Sequence, residues 1–422
     1  MMIKTGDCLQ NQMGGTGLWP VVSGVPPETV VGRDLALVSA DNQQWMVTDE
    51  IRRDAGFDGR DARATILQTR PRKLGLFRAV SLAICLCGLS AVAADFSPLH
   101  QTNSAGRVVL VQGENLLDAF LPDDERVAAA FNLGLIKFTR TTSVAAAWQS
   151  LVKTSDTVGI KVFSEPGPIC GTRPAVVAAI ARGLIAAGLP PDHIIIWDKH
   201  ADDLRHAGFF KFGQSLGVHV AGAANSGYDE QTFYLPDSPV IGQLVWGDLE
   251  FGNTNKNSGV GKKSFVSRLV SQRLTKIISV APLINENDAG VCGHFFSLAL
   301  GSVDNTRRFE GDPDRLAVAL PEIDALPVVG DRVVLHVTDA LLGQFQGGPA
   351  GYLQYSTVLQ QLWFSRDPVA LDTLALQELA HERRLFDVPP LRSNFEIYTN
   401  AALLQLGVSD PSRILVEKVR AE

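Results

Sequence analysis

Lys161 sits where a charge is hard to accommodate. It lies in "DTVGIKVF" (Asp156–Phe163), among Val158, Ile160 and Val162, and such a run reads as a covered strand. A lysine there is costly unless it is paired or reaches a polar cleft. Two aspartates stand at comparable places: Asp198 closes "HIIIWD" and Asp339 closes "RVVLHVTD". In an open α/β sheet, ligands bind beyond the carboxyl ends of the strands. Lys161, Asp198 and Asp339 are therefore the candidate catalytic group, with either aspartate able to pair with Lys161 or to hold a ligand hydroxyl or a metal. The plainer alternative is a structural ion pair, or aspartates that cap the following helix.

Thr172 and Arg173 precede a helix that starts at Pro174. Free backbone N–H groups and a guanidinium at such a place favour an anion, so these two residues are candidate ligand contacts on the rim; an N-cap beside a surface arginine is the bland alternative. "GQFQGGPAG" has neither the P-loop Lys-Ser/Thr nor GxGxxG, and reads as a turn. Asp367, before Pro368, reads as an N-cap, with Asp372 one turn on. Cys292-Gly293-His294 with Cys170 offers three soft ligands and no carboxylate partner, so no metal is assigned and His294 is kept as a ligand contact. No Gly-x-Ser-x-Gly elbow, Ser/His/Asp order or cofactor motif is present.

The elements that must carry these residues alternate. Strands are expected at "GRVVLVQG", "DTVGIKVF", "HIIIWD", "KIISVAP" (Lys276–Pro282), "RVVLHVTD" and "QQLWFSRD". Helices are expected at "VAAAFNLGLIKFTR", "SVAAAWQSLV", "PAVVAAIARGLIAAGL" (Pro174–Leu189), "HADDLRHAGF", "FVSRLVSQRL", "DPDRLAVALPEIDAL" and "PVALDTLALQELAHERR". Strand, helix, strand within about 40 residues from Asp156 is a βαβ unit with parallel strands. Gln231–Phe251 reads as an inserted hairpin. The expectation is one α/β domain over residues 94–422, an open and mainly parallel sheet flanked by helices.

"RPRKLGLFRAVSLAICLCGLSAVAADFSP" (Arg70–Pro98) has the three parts of an export signal: Arg70, Arg72 and Lys73, an apolar run from Ala79 to Leu89, and Ala91-Val92-Ala93 before Ala94. The run is shorter than the ~20 residues of a bilayer span. Residues 70–93 are thus expected to be a signal peptide, giving an exported periplasmic or extracellular protein with no membrane role after cleavage. Residues 1–69 lack periodicity and are excluded from the fold, as a start placed too early or a leader. Among five cysteines only Cys170 and Cys292 follow Ala93. Both stand on strand-end loops and export permits oxidation, so a Cys170–Cys292 disulfide is predicted. The 422 residues carry a net charge of −7, which gives no basic field for nucleic acid.

Six stretches in one order resemble the domain of unknown function 362 family: "DTVGIKVF…GTRPAVVAAIARGL", "IIIWDKHADDLRHAGF", "DSPVIGQLVWGDLEF", "KIISVAPLINENDAGV", "VVLHVTDALLGQFQGGP" and "LWFSRDPVALD". The similarity spans roughly Val127 to Arg384. Some members carry a ferredoxin module, which this chain lacks, and the family has no settled activity. Members read like Pro-x-Leu-Lys-x-His after the third strand; here "PLINENDAG" places Asn285 near the lysine position and Asn287 near the histidine. "HFFSLALG" has no lysine where the family has a Leu-Lys-Asn run. The resemblance therefore implies altered or lost chemistry, with Asn285 as a ligand contact. Two functions follow: an exported enzyme, or enzyme remnant, acting on a small anionic or hydroxylated molecule, or a non-catalytic periplasmic binding protein.

Overall fold

A computed structural model describes residues 106–235, 263–391 and 393–421. The leader, the signal peptide and most of the expected hairpin lie outside the described residues. In chain order the strands are β1 (Gly106–Gln112), the two-residue pair β2 (Leu117–Asp118) and β3 (Leu121–Pro122), β4 (Val158–Val162), β5 (Ile194–Asp198), β6 (His219–Gly222), β7 (Tyr228–Tyr234), β8 (Ser264–Ser267), β9 (Lys276–Glu286), β10 (Gly290–Val291), β11 (Val333–Gln344), β12 (Ser356–Ser365) and β13 (Ile414–Arg420). The helices are α1 (Asp124–Thr139), α2 (Val144–Leu151), the single turn α3 (Gly167–Cys170), α4 (Pro174–Ala186), α5 (Ala201–His206), α6 (Phe209–Leu216), α7 (His294–Ser302), α8 (Pro313–Asp324), α9 (Pro368–Leu385) and α10 (Glu396–Leu403).

One sheet runs β13-β1-β12-β11-β9-β4-β5-β6, with β10 hairpinned onto β9. Along that path only β12 runs against its neighbours; every other pairing is parallel. The expected βαβ unit is β4-α4-β5. Hydrophobic cores cover both faces. Helices α1, α2, α4 and α6 pack against Ile160, Ile278, Val280 and Val337 on one side; α7, α8, α9 and α10 pack against Trp197 and Ile277 on the other. This double coverage explains why β4 and β5 are buried at every position. Among the described residues no helix is long and apolar enough to cross a membrane.

Caps set several boundaries. Asp123 accepts the N–H of Glu125 and Arg126 to start α1, and Ser143 that of Ala146 to start α2. Asp367 accepts the Ala370 N–H at the start of α9, as its place before Pro368 predicts. One expected helix is not formed. In "FVSRLVSQRL" the chain makes β8, paired antiparallel to β7, and then a single π-helical turn over Leu269–Arg273. Phe265, Val266, Leu269 and Val270 are all buried, and their spacing fits a helix; pairing with β7 overrides that period.

Candidate functional site

The strand order reverses direction beside β4. The chain runs outward through β4, β5 and β6, then returns to place β9 on the other side of β4. At such a switch point the loops beyond the strands part and leave a crevice. A cleft of about 920 Å³ lies there, lined by Phe163 and Glu165 after β4, Asp198 at the end of β5 and Glu286 at the end of β9.

Lys161 and Asp198 meet as expected. The ammonium donates to Asp198 Oδ1 at 2.8 Å, to the Val162 carbonyl at 2.7 Å and to Ser297 Oγ at 2.9 Å. It also lies 5.6 Å from the Trp197 ring centroid. Its three protons are all engaged in a site closed to solvent. Burial pulls the Lys161 ammonium below its ordinary value, opposed by the Asp198 charge. The carboxylate is equally committed: Oδ2 accepts the Ser164 N–H and hydroxyl, and Oδ1 also accepts the Lys199 N–H. The pair ties β4, β5, their loops and α7 together, and Asp198 lines the cleft while Lys161 lies buried behind it.

Asp339 does not join this group. It takes the Arg173 guanidinium at 2.6 Å and the Arg173 N–H at 3.0 Å, at the start of α4 on the face opposite α7. Lateral register explains the separation. Lys161, Ser279 and His336 stand in one row across β4, β9 and β11, whereas Asp339 lies three positions beyond His336. Asp339 is also two strands away from β4, with β9 between, whereas Asp198 is on the neighbouring strand, one position past Trp197 in the Lys161 row and at the strand end, where its carboxylate reaches Lys161. Arg173 is internal as well: it is 1% exposed and paired with Asp339, while its Nε and Nη2 have no hydrogen-bond partner among the described residues. Thr172 is wholly buried, accepting the Phe163 N–H and donating to the Val280 carbonyl.

His294 is also internal. Its Nδ1 is 2.9 Å from Ser279 Oγ and its Nε2 3.2 Å from Thr338 Oγ1. Burial, with His336 packed edge-to-face beside it, drives its pKa well down, so it stays neutral. Its N–H and that of Phe295 donate to Asp372, which caps α7. Asn285 Oδ1 accepts the Gly348 N–H, pinning the "GQFQGGPAG" turn. The Cys170–Cys292 disulfide is not formed. Both are buried free thiols; Cys170 packs against Gly351 and Cys292 donates to the Asn285 carbonyl at 3.7 Å.

The groups left to face the cleft are ones that sequence reading missed. Half-buried Lys199 donates to Thr306 Oγ1 at 2.7 Å, and burial lowers its pKa. Glu165 holds its proton more tightly than usual, first through desolvation and then through Asp203, Asp198, Glu310 and Glu286. Burial raises Glu286 and Asp203 as well. Glu286 accepts the N–H of Asp288 and Ala289. A signal was present for two of them: Lys199 directly follows Asp198, and Glu165 lies in the first loop after β4. Among the described residues no group of three or more His, Cys, Asp or Glu is arranged to hold a metal ion. No family model matches the chain, and no curated protein does.

Proposed function

We propose that the protein is an exported enzyme, a member of the domain of unknown function 362 family, that transfers protons on a small hydroxylated molecule in the cleft between β4 and β9. The observation that carries this reading is one cleft holding a lysine with weakened hold on its proton beside carboxyl groups with strengthened hold. Opposed proton affinities of that kind are what general base and general acid require. Lys199, in its neutral form, then takes a proton from one ligand hydroxyl, and protonated Glu165 gives one to another oxygen of the same ligand, so one proton is taken and one is returned. Asp198 lines the cleft and Lys161 holds it from beneath.

Charge selects between the two expected ligand classes. Glu165, Asp203, Glu286, Asp288, Asp304 and Glu310 line the cleft with Asp198, against Lys199 and Arg307. That excess repels an anion and suits a neutral polyol or sugar. Export rests on the signal pattern of residues 70–93, and mass spectrometry of the exported protein should find its amino terminus at or near Ala94. The site is tested by ligand-observed NMR with a panel of polyols and monosaccharides. Binding should occur, and Lys199→Met and Glu165→Gln, folded by circular dichroism, should abolish turnover of the bound compound. Binding without turnover by the unaltered protein makes it the non-catalytic binding protein instead; binding indifferent to both variants sinks the site.

A further inference from the structure

A second cavity, of about 840 Å³, opens at the other end of the sheet, by the amino ends of β9 and β11 and beyond β12. It shares no lining residue with the cleft. Two buried polar side chains line it with an atom that has no hydrogen-bond partner: Asp324 Oδ1, in a residue 3% exposed, and His336 Nδ1, in a residue 4% exposed. Orphaned polar atoms at such depth are uncommon, because each costs the desolvation of a group left unsatisfied. Asp367, on the same wall, is by contrast fully used, accepting the N–H of Ala370 and Val408.

Both orphan atoms can accept. Burial holds His336 neutral, its pKa pulled to about 3, so Nδ1 accepts when the ring proton is on Nε2. Burial raises Asp324 to about 7; it accepts when ionised, the form that an ammonium bound beside it favours. The outer part of the cavity has the opposite character: Lys276, Arg366 and Arg413 outnumber Asp331 and Asp410, and Asp410 is engaged by the N–H and hydroxyl of Ser412. Between the two ends the wall is aliphatic, from Val333, Val334 and Leu406.

We propose that this cavity binds an aliphatic α-amino acid, with the ammonium on Asp324 and His336, the carboxylate toward Arg366 and Arg413, and the side chain on the valine wall. A zwitterion satisfies both orphan acceptors and the cationic rim together, whereas either half alone leaves one end unmatched.

The test uses three probes of one shape, L-leucine, 3-methylbutylamine and 4-methylpentanoate, followed by saturation-transfer NMR and calorimetry on the whole chain. Leucine should bind at least roughly tenfold more tightly than either half-molecule. Asp324→Asn should weaken leucine and the amine by roughly tenfold or more. Arg366→Gln, at an exposed position that leaves the core untouched, should weaken leucine and leave the amine unchanged, so the proposal stays testable if Asp324→Asn fails to fold. Lys199→Met, a lesion in the other cleft, should leave leucine binding intact, which separates the two sites. Absence of saturable leucine binding at millimolar concentration, equal binding by a half-molecule, or leucine binding indifferent to Arg366→Gln overturns it.

Discussion

At the residue scale, Lys161 shows how a buried charge is tolerated: three acceptors for three protons, and a counter-charge that is itself held by Ser164 and Lys199. Replacing it by Met keeps a stem in the same space and removes the charge. Asp198 would keep its other donors and lose its cation, and breaking a buried pair from one side costs about 3 kcal/mol. Urea denaturation of Lys161→Met should show that loss, and adding Asp198→Asn should recover part of it, because the uncompensated carboxylate is gone. A loss that is merely additive in the double variant would deny the coupling. Arg173 and Asp339 obey the same logic on the other face. Sequence reading saw that Lys161 needed a carboxylate but not which one, since the two aspartates look alike until strand order puts Asp198 on the strand beside Lys161 and Asp339 two strands away.

At the element scale, α7 is the piece that makes the cleft. All nine of its residues are buried, its first amides are capped by Asp372 from α9, and its last turn lies on Lys161. The close approach depends on Gly301, where an added Cβ would stand 2.3 Å from Lys161 Cε. Gly301→Ala must therefore push the lysine from Asp198 or lift the helix, and such overpacking costs roughly 1–3 kcal/mol. Its thermal melt should fall clearly below that of the unaltered protein; an unchanged melt would mean the lysine moves aside freely. The glycine stands in "HFFSLALG" without any mark of this role, because the contact is made to a strand far away along the chain. Strands such as β4, β5 and β11 were legible, because continuous apolar runs at strand length carry their own signature. The β8 segment was not, because its spacing suits either structure and its partner strand decided.

At the scale of the whole molecule, opposing sets of buried titratable groups shape stability against pH. Burial raises Asp324 and Asp372 to about 7 and Asp367 to about 6, with Asp372 adding to Asp324 and Asp367 to Asp372. An acid raised on folding contributes stability that is fully present below its unfolded value, near 4, and is lost as pH rises through the folded one. Buried His294 and His336 act the other way: lowered on folding, their contribution is present above the unfolded value, near 6.5, and is lost as pH falls. Between about pH 4 and 6.5 the two sets therefore act in opposite directions. Asp324→Asn removes one member of the first set. Its stability relative to the unaltered protein should rise steadily from pH 4.5 to 7.5, by up to several kcal/mol, since each tenfold change in proton affinity on folding is worth about 1.4 kcal/mol. Denaturant titrations at three pH values check this, and a difference independent of pH would show that Asp324 titrates normally in the fold.

What the sequence determined by itself was local: the apolar runs that become β4, β5 and the first part of β11, the βαβ step through Pro174, the Asp367 cap, and the strand-end position of Asp198; Asp339, expected to close its strand, lies within β11, which continues to Gln344. Each follows from forces acting within a few residues, chiefly periodicity and capping. What the tertiary structure decided was every choice between equivalent neighbours. Strand order put the switch point beside β4, gave Asp198 on the neighbouring strand to Lys161 and left Asp339, two strands away, to Arg173, and burial turned His294, Thr172 and Asn285 inward. The same folding left Lys199 and Glu165 facing the cleft. Proton affinity and pairing depend on which distant groups exclude water from a side chain, and that is a property of chain packing which no spacing along the sequence records.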